Sequence, residues 1–290
     1  MTSSVLRQKA EAEASHLLPL LVQADYLAGA ILLGEHGRRR SGLGDDFWQY
    51  RPVQIGDSKR YIDHRRSASG DVDFVREREW KIAQSVIFWV DQGASMRWGS
   101  KKNRPRKIDH SRLLALATAI LSVRGGERVG LTNVTLPPRC ERQQIFRMAE
   151  AFSQDAEVDY EPPDYSAMKS HSRAVFISDF LSDMDVIREA LGEAVNKGIK
   201  CVLLQVLDPD EELFPYQGRT IFDSVGGTLT HQTLKASDLR SQYLDRLANR
   251  KLELRVLASE VGWQYGRHQT DRDPQSALLW LYGALDGTAT

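Results

Sequence analysis

The stretch Val86-Ile87-Phe88-Trp89-Val90, followed by Asp91-Gln92-Gly93-Ala94-Ser95, constrains the fold more than any other part of the chain. Five apolar residues without polar alternation read as a strand covered on both faces, the mark of a parallel sheet. Ligands of open α/β sheets bind outside the carboxyl ends of the strands, so an acid at that point is a candidate site residue. The pattern returns in Val175-Phe176-Ile177-Ser178-Asp179. Parallel strands deliver their carboxyl ends to one side, which predicts that Asp91 and Asp179 share a sheet edge.

From Gln84 onward apolar runs alternate with helical patterns, the order expected of parallel α/β units. The spacing predicts strands over 86–90, 128–133, 174–178 and 202–207, with an edge strand near 228–232. Helices are predicted over 109–123, 142–152, 185–196, 238–260 and 274–284, and Gly125-Gly126 and Gly198 close two of them. Residues 4–28 place Leu6, Ala10, Leu17, Leu18, Leu21 and Ala24 at helical spacing, with Pro19 positioned to kink the helix. A glycine-rich basic stretch and an extended region follow. The expected organisation is an N-terminal helical and extended segment, 1–80, packed on an α/β domain, 81–290.

Lysine plus arginine equals aspartate plus glutamate, 39 each among 290 residues, so no overall field draws in nucleic acid or anionic lipid. Cys140 and Cys201 are far apart without metal-ligand spacing, as in a reducing compartment. No run reaches the roughly 18 apolar residues of a membrane span. Arg7, Lys9, Glu11 and Glu13 precede the first apolar stretch, unlike a signal peptide. These features predict a cytoplasmic protein without a transmembrane segment, and the lack of G-x-x-x-x-G-K-[ST] excludes a P-loop.

Asp91-x-Gly93-x-Ser95 is close to the D-x-S-x-S turn of von Willebrand factor A domains. Upstream lie Gly56-Asp57, Arg60, Ile62-Asp63-His64 and Arg65. Together these resemble the bacterial family named domain of unknown function 58, whose members carry Gly-Asp, Arg, Ile-Asp-Trp and then Asp-x-Ser-x-Ser-Met. Here His64 stands for the Trp and Gly93 for the first Ser. The resemblance runs from about Phe47 to the last helix. It implies a von Willebrand factor A-like open, mostly parallel sheet flanked by helices, and a degenerate site in which Asp91, Ser95 and Asp179 hold Mg²⁺ at low occupancy. It also implies a partner, a MoxR-type AAA+ ATPase, in the maturation or remodelling of other proteins. Many relatives carry N-terminal membrane helices.

The threonine such a site takes from a middle loop has no counterpart between Leu136 and Arg219, so Ser166, Ser170 or water would substitute, and water would fill the vacancy at Gly93. Two readings stand: a weakly held Mg²⁺, or relic acids satisfied by backbone N–H groups or basic residues. Arg97, Lys101, Lys102, Arg104, Arg106 and Lys107 follow Ser95 directly and are expected to form a solvated basic rim for an acidic partner, joined by Arg38, Arg39 and Arg40. With only Trp98 available for stacking, that run does not make a nucleic-acid reader. Asp57, Asp63, Arg60 and Arg65 read as an ion-pair staple or an interaction surface. Asp208, Asp210, Glu211, Glu212, Asp271 and Asp273 read as solvated acids, and Trp263, Tyr265 and His268 as packing of a final strand. The preferred function is a non-enzymatic binding or adaptor protein. The alternative is a metal-dependent hydrolase or phosphatase using Asp91 and Asp179, against which stands the lack of paired His ligands and of an activated nucleophile.

Overall fold

A computed structural model describes residues 18–31, 47–54, 62–68, 72–78, 84–101, 104–132, 137–153, 158–170, 172–223 and 230–286. The chain divides into two compact units, residues 36–83 and residues 1–35 with 84–290. The N-terminal helix thus belongs to the α/β unit and not, as the expected division at residue 80 had it, to a segment shared with the extended region. In chain order the elements are α1 (18–31), β1 (Phe47–Pro52), α2 (His64–Ser67), β2 (Phe74–Arg78), β3 (Ser85–Val90), α3 (Lys107–Arg124), β4 (Arg128–Leu131) and α4 (Arg142–Ala151). They continue with β5 (Arg173–Ser178), α5 (Met184–Asn196), β6 (Lys200–Leu207), α6 (Pro209–Leu213), β7 (Thr220–Asp223), β8 (Thr230–Thr233), α7 (Arg240–Glu260), β9 (Gln264–Gln269) and α8 (Pro274–Asp286).

The sheet of the larger unit has the order β4-β3-β5-β6-β9, and every pairing is parallel. Its inner strands β3, β5 and β6 are apolar on both faces because both faces are covered. Val86, Phe88 and Val90 join a core with α1, α3, α4 and α8, while Ile87 and Trp89 join a second core with α5 and α7. Burying a side chain such as Phe88 contributes about 1.5–3 kcal/mol, and the alternation spends that burial on two layers of helices. In α3 the positions Lys107, Ser111, Leu114, Thr118 and Leu121 recur at helical spacing and are all buried. Lys107 therefore starts the helix on the inward face.

One predicted strand lies elsewhere. Of the strand predicted near 228–232, the described residues 230–232 do not form the sheet edge; they lie in β8, which pairs antiparallel with β7 in a separate two-stranded ribbon, and β9 takes the edge beside β6. Thr230, His231 and Gln232 are exposed, so β8 has no apolar face to offer a covered sheet. At β9, Gly266 lets the Trp280 ring lie against the backbone, where a Cβ would come within 2.5 Å of the indole. In α1, Ala24, Leu27, Ala28 and Ile31 enter the core, whereas Leu6, Ala10 and Leu17 lie outside the described residues.

The smaller unit is built on β1 and β2, paired antiparallel with Arg51 opposite Val75. Asp63 has a local role there: its Oδ1 accepts the Arg65 backbone N–H at 3.1 Å and opens the single turn of α2. Ser67 Oγ donates to the Asp63 carbonyl at 2.9 Å and accepts from the Phe74 N–H at 2.9 Å, tying that turn to β2. Gly56, Asp57 and Arg60, and Arg38, Arg39 and Arg40, lie outside the described residues.

Candidate functional site

Three acids stand at the carboxyl ends of neighbouring strands: Asp91 after β3, Asp179 after β5 and Asp208 after β6, all buried. Asp91 is held by neutral donors alone. Its Oδ1 accepts from the Gly93 N–H at 2.8 Å and its Oδ2 from Ser178 Oγ at 2.7 Å. Burial, then the charge of Asp179, push its pKa up to about 7.

Asp179 is held by a cation. Lys107 Nζ lies 2.8 Å from its Oδ2, the Leu181 N–H donates to Oδ1 at 3.0 Å, and Nζ reaches Glu211 Oε1 at 2.6 Å. Burial alone would lower the Lys107 pKa, but the charges of Asp179 and Glu211 outweigh it and raise it. Burial raises the Glu211 pKa despite Lys107, because one ammonium serves two carboxylates. Asp208 caps α6, accepting from the Asp210 N–H at 2.9 Å, and also takes the Ser100 N–H at 3.2 Å and Arg104 Nη1 at 3.3 Å. Burial works against the Asp208 carboxylate, yet these donors hold its pKa below the ordinary range.

Residues 158–161 run across the turn after β3. The Ala94 N–H donates to the Val158 carbonyl at 2.8 Å, the Ser95 N–H to the Asp159 carbonyl at 2.9 Å, and the Gln92 N–H to Glu161 Oε2 at 2.8 Å. This strap explains Gly93, since a Cβ there would come within 2.8 Å of the Asp159 carbonyl, 2.9 Å of Asp91 Oδ1 and 3.0 Å of the Glu161 nitrogen. The vacancy expected at Gly93 is closed by backbone. Ser166 and Ser170, the expected hydroxyl substitutes, are exposed, and Ser95 Oγ is buried with no hydrogen-bond partner among the described residues.

The basic run is in part not the solvated rim expected of it, since Lys107 and Arg104 turn inward while Lys101 and Arg106 stay exposed. Lys107 is 1% exposed and fully committed to Asp179 and Glu211, and Arg104 pairs with Asp208 and Asp210. Arg106 makes a two-pronged contact with Asp109, both arms 3.0 Å, at the start of α3. Arg97 Nη1 approaches the Gln92 carbonyl at 3.4 Å. Lys101 is exposed, and Lys102 lies outside the described residues. Three of the acids expected to be solvated are partners of this run, Asp208 and Asp210 of Arg104 and Glu211 of Lys107.

A divalent ion on Asp91, Ser95 and Asp179 fits this arrangement poorly. Mg²⁺ takes oxygen ligands at about 2.0–2.1 Å in a near-octahedral shell, whereas the two acids are already engaged, Asp179 by an ammonium and Asp91 by a hydroxyl and an amide. Among the described residues no three His, Cys, Asp or Glu side chains gather as metal ligands.

A model of the family described as Protein of unknown function DUF58 matches residues 49–253, more than half of the chain. The chain belongs to that family. No curated protein matches it. Among solved structures, it is similar to a conserved hypothetical protein, BatB, from Bacteroides thetaiotaomicron, at 15% identity and a TM-score of 0.41, covering 71% of this chain and 99% of that one. It is also similar to an aerotolerance-related membrane protein from Bacteroides fragilis, at 14% identity and a TM-score of 0.39, covering 71% and 100%. No described helix of this DUF58 chain is long and apolar enough to cross a membrane.

Two features of the DUF58 chain have no counterpart among the sequence expectations. A groove of about 640 Å³ opens beside Glu211, lined by Trp98, Phe214, Tyr216, Ile221, Phe222 and Tyr243. Phe214 sits at its centre in a left-handed conformation, φ 46°, with ring centroids 4.8 Å from Tyr243, 5.2 Å from Tyr216 and 5.7 Å from Phe222. These aromatics lie on β7 and α7, in the segment just after α6 and, for Trp98, in the loop after β3, too scattered for any periodic signal. The second feature is a buried pair, His110 Nδ1 and His268 Nε2, 2.7 Å apart with stacked rings. Burial lowers both pKa values, and the charge of His110 helps carry that of His268 down to about 4.

Proposed function

We propose that this chain is a non-enzymatic binding protein, an adaptor for a MoxR-type AAA+ ATPase in the maturation or remodelling of other proteins, acting in the cytoplasm. The partner comes from the family resemblance. The single observation that supports a binding role is the aromatic groove at the carboxyl end of the sheet, with Ile221 55% exposed on its wall while the acids on its floor, Asp210 and Glu211, are paired with Arg104 and Lys107. Aromatic and aliphatic side chains in a concave, partly dry pocket are the usual anchors of protein recognition. The contact surface accordingly moves from the basic run to the groove.

The hydrolase or phosphatase alternative draws on one observation, the Asp91 pKa of about 7, which suits acid–base work. Against it, Asp91 is 1% exposed and both its oxygens are occupied. Surface binding between the purified chain and a purified MoxR-type ATPase from the same cell tests the proposal. Ile221→Asp is expected to weaken binding about tenfold, within the range of a well-buried interface residue, and Lys101→Ala to leave it nearly unchanged. Equal binding by Ile221→Asp and the unmodified chain would remove the groove from the interface. Phosphate release from generic esters that disappears in Asp91→Asn would favour the enzyme instead.

A further inference from the structure

The position of Lys107 is unfavourable for a cation on every local ground. It occupies the first turn of α3, where the helix dipole repels positive charge, and its side chain is 1% exposed, which strips the ammonium of water. What holds it there is a pair of oxygens from two different elements, Asp179 Oδ2 at the end of β5, 2.8 Å away, and Glu211 Oε1 on α6, 2.6 Å away, with the Trp98 ring at 5.9 Å. Without a cation, two carboxylates would face one another in a water-poor place. The ammonium is required by the acids.

We infer that the Lys107 ammonium is the resident cation of this sheet edge, a covalently attached substitute for a divalent ion. The edge is therefore closed without metal, and a divalent-cation site opens at the Nζ position, on Asp179 and Glu211, only when the lysine is shortened. The distances set the kind of ion. Ca²⁺ takes oxygens at about 2.3–2.6 Å in a flexible shell, whereas Mg²⁺ demands about 2.0–2.1 Å and near-octahedral order. Oxygens already 2.6 and 2.8 Å from a common point need to close by only a few tenths of an ångström for Ca²⁺. Replacing Lys107 by Ala removes the rest of the side chain and leaves room for waters to complete the shell. The inference concerns the chain alone and does not rest on the partner reading, so it stands or falls in an experiment without a partner.

Thermal unfolding of the full chain is measured with and without millimolar Ca²⁺ or Mg²⁺ for the unmodified protein, Lys107→Ala, and Lys107→Ala combined with Asp179→Asn. The unmodified chain is expected to hold its Tm in either ion. Lys107→Ala is expected to melt lower and to regain roughly 5 °C in Ca²⁺ when the ion is about a hundredfold above Kd, with a smaller gain in Mg²⁺ and none in the double variant. If Lys107→Ala does not accumulate folded, its refolding yield replaces Tm: a yield raised by Ca²⁺ supports the inference, and equal failure with and without it overturns the inference. A folded Lys107→Ala that ignores Ca²⁺ would reduce Lys107 to an ordinary ion pair and also overturn it. So would Mn²⁺ bound by the unmodified chain in an electron paramagnetic resonance titration and lost in Asp179→Asn, since the acids would then hold a metal beside the lysine.

Discussion

Asp91 and Asp179 end adjacent strands at the same sheet edge, are buried to the same depth, and are stabilised by opposite means. Around Asp91 the donors are an amide and a hydroxyl, so the carboxylate is only half compensated and its pKa climbs to about 7. Around Asp179 a lysine arrives from α3 and binds Glu211 as well, which keeps the group in an ion network. The difference has a topological cause. β3 leads straight into the tight turn at Gly93, which the strap of residues 158–161 closes over, and the donors that reach Asp91 are the Gly93 amide and the short Ser178 hydroxyl. β5 opens toward the start of α3, and the helix delivers a side chain long enough to reach it.

The largest expected effect separates the two acids. Lys107→Met should destabilise the chain by about 3–5 kcal/mol, the usual consequence of leaving buried charges without their partner, as measured by denaturant unfolding at neutral pH. Asp91→Asn should stay within about 1 kcal/mol of the unmodified protein under the same conditions, because neutral hydrogen bonds replace one another with small net change. Equal losses in both variants would dissolve the contrast.

A smaller effect tests the strap. Gly93→Ser, which would restore the hydroxyl of the resembled motif, should instead destabilise by about 1–3 kcal/mol, the range for overpacking a filled site. Two of the three atoms it would meet are the Asp159 carbonyl and the Glu161 nitrogen, both main chain and unable to rotate aside. A Gly93→Ser variant that unfolds at the same denaturant concentration as the parent would mean that residues 158–161 move away readily.

What the sequence disclosed, and what it hid, follows the same division. Unbroken apolar runs carry the two-sided sheet, and the acids that end them mark Asp91 and Asp179 by local pattern alone. The run 202–207 ends on Asp208 in the same way, and Asp208-Pro209-Asp210-Glu211 has the spacing of a capping box, so the third acid was legible by the rule that found the first two. Lys107 was hidden by its neighbours. Composition groups it with Arg104 and Arg106 as a solvated run, whereas helical spacing groups it with Ser111, Leu114, Thr118 and Leu121 on a buried stripe. Burial follows the second grouping. The strap over Gly93, the aromatic groove and the His110–His268 contact join residues tens of positions apart through tertiary packing, which no local pattern encodes.

The last effect, the smallest per unit of change, concerns pH, and its sign is opposite at Asp91 and His268. Asp91 has a folded pKa of about 7, above its ordinary 3.8, so its contribution is fully present below about pH 4 and is lost as pH rises through about 7. His268 has a folded pKa of about 4, below its ordinary 6.5, so its contribution is present above about pH 6.5 and is lost as pH falls toward 4. Between these limits the two slopes oppose each other, each at most about 1.4 kcal/mol per pH unit. Removing the acid should expose the histidine. Asp91→Asn is expected to match the parent near pH 7.5 and to fall behind it by up to about 1 kcal/mol for each unit of acidification toward pH 5. Unfolding midpoints at four pH values decide it, because a constant difference between the two proteins would mean that Asp91 is charged throughout that range, and that the neutral donors around it compensate a carboxylate as well as Lys107 compensates Asp179.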